Sequence, residues 1–189
     1  MNRTVVTGAL VACLAWSALA TPARAQDVMS KESAAELKAS FLADIENMRG
    51  KFVGLAEAFP QDKYSWRPME GVRSVSEVLM LAAMEGYGFI PNGFGGKPMP
   101  PPGGPEGAAK MRAITDKAEV IGHLNKAFAH AKASLEAVDP ATLTGKRTLM
   151  GQPRSTSQIA LLIGGDLHEH LGQLIAYARM NQIVPPWSK

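Results

Sequence analysis

Cysteine is nearly missing from this chain: Cys13 is the only one in 189 residues. Beyond position 13 there is therefore no disulfide, no thiolate metal ligand and no cysteine nucleophile. No Gly-x-Ser-x-Gly elbow and no glycine loop of the phosphate-cradling kind occurs, which removes the commonest serine-hydrolase and nucleotide signatures. An excess of one charge is also lacking. The 20 basic residues less Arg3 and Arg24 leave 18 against 17 acidic ones, a net charge of +1. That is no footprint for nucleic acid. After residue 25 no segment approaches the ~20 continuous apolar residues of a membrane span, so stable membrane insertion is not expected.

What is present at the N-terminus reads as a secretory leader. Arg3 supplies a positive start, Val5 to Ala20 is largely apolar, and Ala23-Arg24-Ala25 has the small-x-small pattern of a cleavage site. Cleavage after Ala25 leaves residues 26–189 as one domain, periplasmic or secreted. Lipid anchoring through Leu10-Val11-Ala12-Cys13 is the less favoured alternative, because apolar residues rather than a polar tether follow Cys13.

Four long amphipathic segments follow. The first runs from Ser30 towards Phe59, with Leu37, Phe41, Ile45, Met48, Phe52 and Leu55 at helical spacing, and Pro60 stops it. A second runs from Ser74 to Phe89, with Ser74 and Glu77 spaced as a capping box. Residues 91–107 are rich in Gly and Pro and are expected to form a surface loop, a candidate pocket lid, without regular elements. A third helix is expected from Asp116 to Val138 with Val120, Leu124, Phe128 and Leu135 inward, and a fourth from Ser155 or Thr156 to Met180. No strand and no internal repeat stands out. The fold class is all-α, a four-helix bundle with crossover connections.

Chemistry concentrates on the fourth helix. Asp166 and His170 lie four residues apart, the spacing at which two side chains share one helix face and grip one ion. They fall in register with Ile159, Leu162, Ile163, Leu174 and Tyr177, so both are expected to face the core. Inward polar groups need partners. His168 projects to the other side, and His123 and His130 on the third helix sit near Lys126 and Lys132, which marks both as structural or exposed residues rather than site residues. Gly164 and Gly165 permit close helix approach or pocket space, and Trp66 and Trp187 anchor the connector and tail.

Lys63-Tyr64-Ser65-Trp66-Arg67-Pro68, Gly71-Val72-Arg73-Ser74-Val75-Ser76-Glu77-Val78, His168-Glu169-His170-Leu171-Gly172-Gln173-Leu174 and Ile183-Val184-Pro185-Pro186-Trp187-Ser188 together resemble the DinB/YfiT-like family. The resemblance implies a four-helix bundle, frequently a homodimer. Its better-known members are metal-dependent thiol transferases and mycothiol-dependent isomerases. They hold zinc or nickel with one histidine of the second helix and an H-x-x-x-H pair before Gly-Gln in the fourth. Here those three positions carry Leu81, Asp166 and His170, so a degenerate centre is implied.

Glu85, one turn beyond Leu81, projects from roughly the same face and can supply the missing donor. Glu85, Asp166 and His170 then make a mixed carboxylate–imidazole set with an open water position. The simpler and preferred alternative is an Asp166–His170 hydrogen-bonded pair with no ion. The expected cofactor is thus none, or one divalent metal, zinc or nickel. The pocket is expected at Leu81, Glu85, Asp166 and His170, and the expected function is a small-molecule-binding or stress-related accessory protein. The competing expectation is a metal-dependent hydrolase or transferase using Asp166 and His170.

Overall fold

The computed structural model describes residues 28–101 and 104–188. The leader expected over residues 1–25, with Cys13, lies outside the described residues. Helix α1 spans Lys31–Ala58 and starts where the Ser30 hydroxyl accepts the Ser33 N–H at 3.1 Å. Its buried face is Phe41, Ile45, Met48, Phe52 and Leu55, and Pro60 follows its last bond, Phe59 N–H to Leu55 O. Helix α2 (Val75–Met84) opens on the expected capping box of Ser74 and Glu77. Helices α5 (Lys117–Glu136) and α6 (Thr156–Met180) are capped by Asp116 and by a second box of Ser155 and Gln158.

The second rod is longer than its composition suggested. After Met84 it passes through a π turn, Glu85–Phe89, and continues as α3 (Ile90–Phe94). The Ile90 N–H bonds to Glu85 O, five residues back, which marks the extra residue in the turn. Pro91 survives inside this rod because its missing N–H is replaced from elsewhere. The Tyr87 carbonyl it would have bonded accepts the Met99 N–H at 2.7 Å instead. The Lys97 carbonyl in turn lies 3.0 Å from His130 Nε2 and 3.3 Å from Ser134 Oγ on α5. The expected structureless stretch 91–107 therefore contains the end of α3 and the start of a short helix α4 (Gly104–Arg112), and its middle is stitched to the bundle.

A second correction concerns strands. Residues Lys146–Leu149 (β1) and Gln152–Ser155 (β2) pair antiparallel around Met150 and Gly151, both at positive φ (53° and 72°). That is the two-residue hairpin turn whose twist matches the strands. Pro153 is tolerated because a two-stranded ribbon is all edge.

The four rods pack in the order α1–α5–α2–α6 and back to α1. Helices α1 and α2 thus occupy opposite corners, as do α5 and α6, and the links between them cross the bundle ends. The all-α bundle and its crossovers are as expected. The core unites all four rods, with Phe52, Phe128, Leu79 and Ile163 fully buried. Each such side chain contributes about 1.5–3 kcal/mol. Gly86 lets the π turn approach α5 closely: a Cβ there would lie 3.0 Å from the Ala127 carbonyl carbon. Trp66 packs against the core and meets the Tyr177 ring edge-on at 5.4 Å, the anchoring expected of it, whereas Trp187 stays exposed with the Lys51 ammonium 5.8 Å above its ring.

Candidate metal centre

The buried stripe of α6 is Ile159, Ile163, Leu167, Leu171, Leu174 and Ala178. Asp166 and His170 flank this stripe and do not lie in it, because Leu167 and Leu171 take the inward positions and Leu162 is only half-buried. The polar pair consequently sits at the seam where α6 meets the second rod. The Asp166 side chain keeps 38 % of its surface exposed and that of His170 only 14 %. Across the seam the π turn delivers Glu85, whose side chain is 8 % exposed.

His170 Nε2 stands 3.2 Å from Glu85 Oε1 and 3.6 Å from Asp166 Oδ1. The principal hydrogen bond therefore runs to Glu85 and not, as the Asp–His alternative expected, to Asp166. One donor atom from each of Glu85, Asp166 and His170 lies within 4.8 Å of the other two, so the three form a group that can hold a metal ion. Glu85 Oε2 is buried and has no partner; Arg154 Nε is the other such buried side-chain atom among the described residues. A buried carboxylate oxygen with nothing to accept is expensive, and a cation between the two acids and the imidazole would satisfy it. Two oxygens and one nitrogen suit zinc or manganese, and the two carboxylates cancel a divalent charge.

Burial raises the Glu85 pKa above its ordinary value, with the hydrogen bond from His170 opposing the shift. The bond to Glu85 raises that of His170, against desolvation and the charge of Arg73. Both shifts say that the pair holds a proton tightly when no cation is present. The proton shared between His170 Nε2 and Glu85 Oε1 is the one a cation would have to displace.

Of the four residues expected to line one pocket, Leu81 and Asp166 open onto different cavities. Asp166 borders a cavity of about 420 Å³ with Phe89, Met150, Leu161, Leu162 and Gly165. A Cβ on Gly165 would meet nothing within 4 Å, so this glycine leaves room there, whereas Gly164 packs near Phe41. Leu81 opens onto a separate cavity of about 280 Å³ whose walls include Arg67, Arg73 and Arg112; Arg67 and Arg73 lie in the segments that carry the family resemblance, and none of the three was expected to be a site residue. The other histidines divide. His168 is exposed, as expected, and pairs with Asp44 of α1 at 3.1 Å. His123, expected to be structural or exposed, takes the structural role: it is half-buried, bonds the Tyr87 hydroxyl at 3.1 Å and lines a small apolar cavity with Met99 and Pro100. His130 is likewise drawn in by the Lys97 carbonyl.

No curated protein matches this chain at a significant level. The sequence profile described as DinB superfamily matches residues 44–174, a span that contains Glu85, Asp166 and His170. With more than half of its length covered by that match, the chain belongs to the DinB superfamily.

Proposed function

We propose that this chain is an exported, small-molecule-binding DinB protein with one divalent cation held by Glu85, Asp166 and His170 in place of the three-histidine set. The observation that carries this reading is Glu85 Oε2, buried without a partner beside His170. Leu81 cannot ligate. The acid one turn later, turned towards α6 at the start of the π turn, offers the donor that position lost. A bound cation supplies Lewis-acid polarisation of a ligand oxygen and a lowered pKa for water. Of the chain's own groups, Glu85 and His170 hold or release a proton at the seam. Asp166 is the donor open to solvent and so marks the side from which a ligand arrives.

That open side also favours a second reading, a metal-dependent hydrolase or transferase, since water reaches Asp166 directly. Leu161 and Met150, among the most exposed large apolar residues, border the same cavity and offer a second copy of the chain a surface to cover. Bound metal measured by mass spectrometry on protein purified without a His-tag tests the proposal. One equivalent of zinc or manganese is expected after dialysis against the ion, and little in Glu85→Gln or His170→Ala. Retention of no ion by the unaltered protein would overturn it. Ester or thioether turnover that requires the ion would move the assignment to the second reading.

A further inference from the structure

The cavity at Leu81 carries an excess of positive side chains. Three arginines line it, Arg67 and Arg73 from the connector before α2 and Arg112 from the last turn of α4. Arg67 is fixed: Nη1 donates to the Val72 carbonyl at 3.0 Å, and Nη2 lies 3.2 Å from Glu77 Oε2. Glu77 is itself committed, since the same oxygen accepts the Ser74 N–H at 2.6 Å. Among the described residues, Arg73 and Arg112 have neither an ion pair nor a side-chain hydrogen bond. Three positive groups and one negative group therefore leave two uncompensated charges on one concave wall.

The wall is held in place from behind. The Tyr177 hydroxyl donates to the Arg73 carbonyl at 3.0 Å, and Gln173 Nε2 donates to that hydroxyl at 2.7 Å. Both residues belong to α6, beyond His170, so Arg73 is anchored to the helix that carries the imidazole. Like charges gathered in a cleft focus a field that draws anions, and guanidinium forks match carboxylate and phosphate oxygens. A volume of about 280 Å³ is at the small end of ligand pockets.

We propose that this cleft binds a small dianionic molecule, a dicarboxylate or a phosphate monoester, clasped by Arg73 and Arg112 against the fixed Arg67. Its carbon skeleton lies on Val72 and Leu81, and Leu81 is one helical turn from Glu85. The anion site stands on its own geometry; its service to the cation centre rests on the function proposed above.

Isothermal titration of the metal-free chain with succinate and with glycerol phosphate, in low chloride, tests the cleft. Saturable binding of one equivalent is expected, and the tighter of the two probes identifies the anionic group preferred. Arg73→Gln and Arg112→Gln should each weaken binding about tenfold, the loss of one charge-assisted pair, while the exposed Arg179→Gln leaves it unchanged. Unaltered melting temperatures in the arginine variants separate lost contacts from lost folding. No saturable binding of either probe at millimolar concentration, equal affinity in the double variant, or an equal loss in Arg179→Gln would overturn the inference. Because the titration excludes metal, its failure leaves the cation reading standing, and loss of the cation reading leaves this result untouched.

Discussion

At the scale of single residues, the Glu85–His170 contact governs how the protein responds to protons. Replacing Glu85 by Gln keeps the shape and an acceptor oxygen but removes the carboxylate charge, and with it the charge-assisted bond, that raise His170. The His170 pKa should then fall towards its ordinary value, and an NMR titration of the imidazole protons measures this directly. For the unaltered, metal-free chain both groups titrate above their ordinary values, 4.5 for Glu85 and 6.5 for His170. The folded state therefore binds these protons more tightly than the unfolded state. Their contribution to stability is complete below the ordinary values and is lost as pH rises through the raised ones. Melting temperature should decline across that window. Added zinc or manganese should reverse the decline at its alkaline end, where Glu85 and His170 have released their protons. Melting curves with and without the ion, taken over that range, carry the check, and a metal effect that grew towards acid pH would contradict the ligand assignment.

At the scale of elements, the π turn decides where the acid points. Gly86→Ala pushes a methyl group to 3.0 Å from the backbone of α5, where a helix has little freedom to yield. The expected cost is about 1–3 kcal/mol, read as a lower midpoint in urea unfolding. Because Glu85 is the preceding residue, any cation affinity should fall with it. Helix positions were legible in the sequence because their signals are local: the capping box at Ser74, the Ser155-Thr156 start of the fourth helix, Pro60 as a stop, and the three-to-four spacing of Phe41, Ile45, Met48 and Phe52. Other features depend on distant groups. Pro91 reads as a helix end unless the Met99 N–H is known to reach the Tyr87 carbonyl, and a hairpin turn with Met150 at positive φ runs against that residue's preference. Within the site, the Asp166/His170 spacing was readable from α6 alone, and Glu85 followed from its offset to Leu81. That His170 bonds Glu85 more closely than Asp166 required the packing of two rods, and the convergence of Arg67, Arg73 and Arg112 required the docking of α4.

At the scale of the whole molecule, one contiguous core joins all four rods, so unfolding should be a single cooperative transition. Phe52→Ala removes a fully buried ring that faces Phe128 at 5.9 Å. It should cost about 3–5 kcal/mol while leaving the denaturant slope unchanged, as chemical denaturation followed by circular dichroism would report. The opposite-corner arrangement of α1 and α2 bears on the order of events during folding. Glu85 and His170 meet across 85 residues of chain, and α6, which carries two of the three donors, is the last of the rods in chain order. A nascent or truncated polypeptide ending before α6 owns only one arm of the clasp, so capture of the proposed cation would have to await α6 and could not nucleate assembly of the earlier rods.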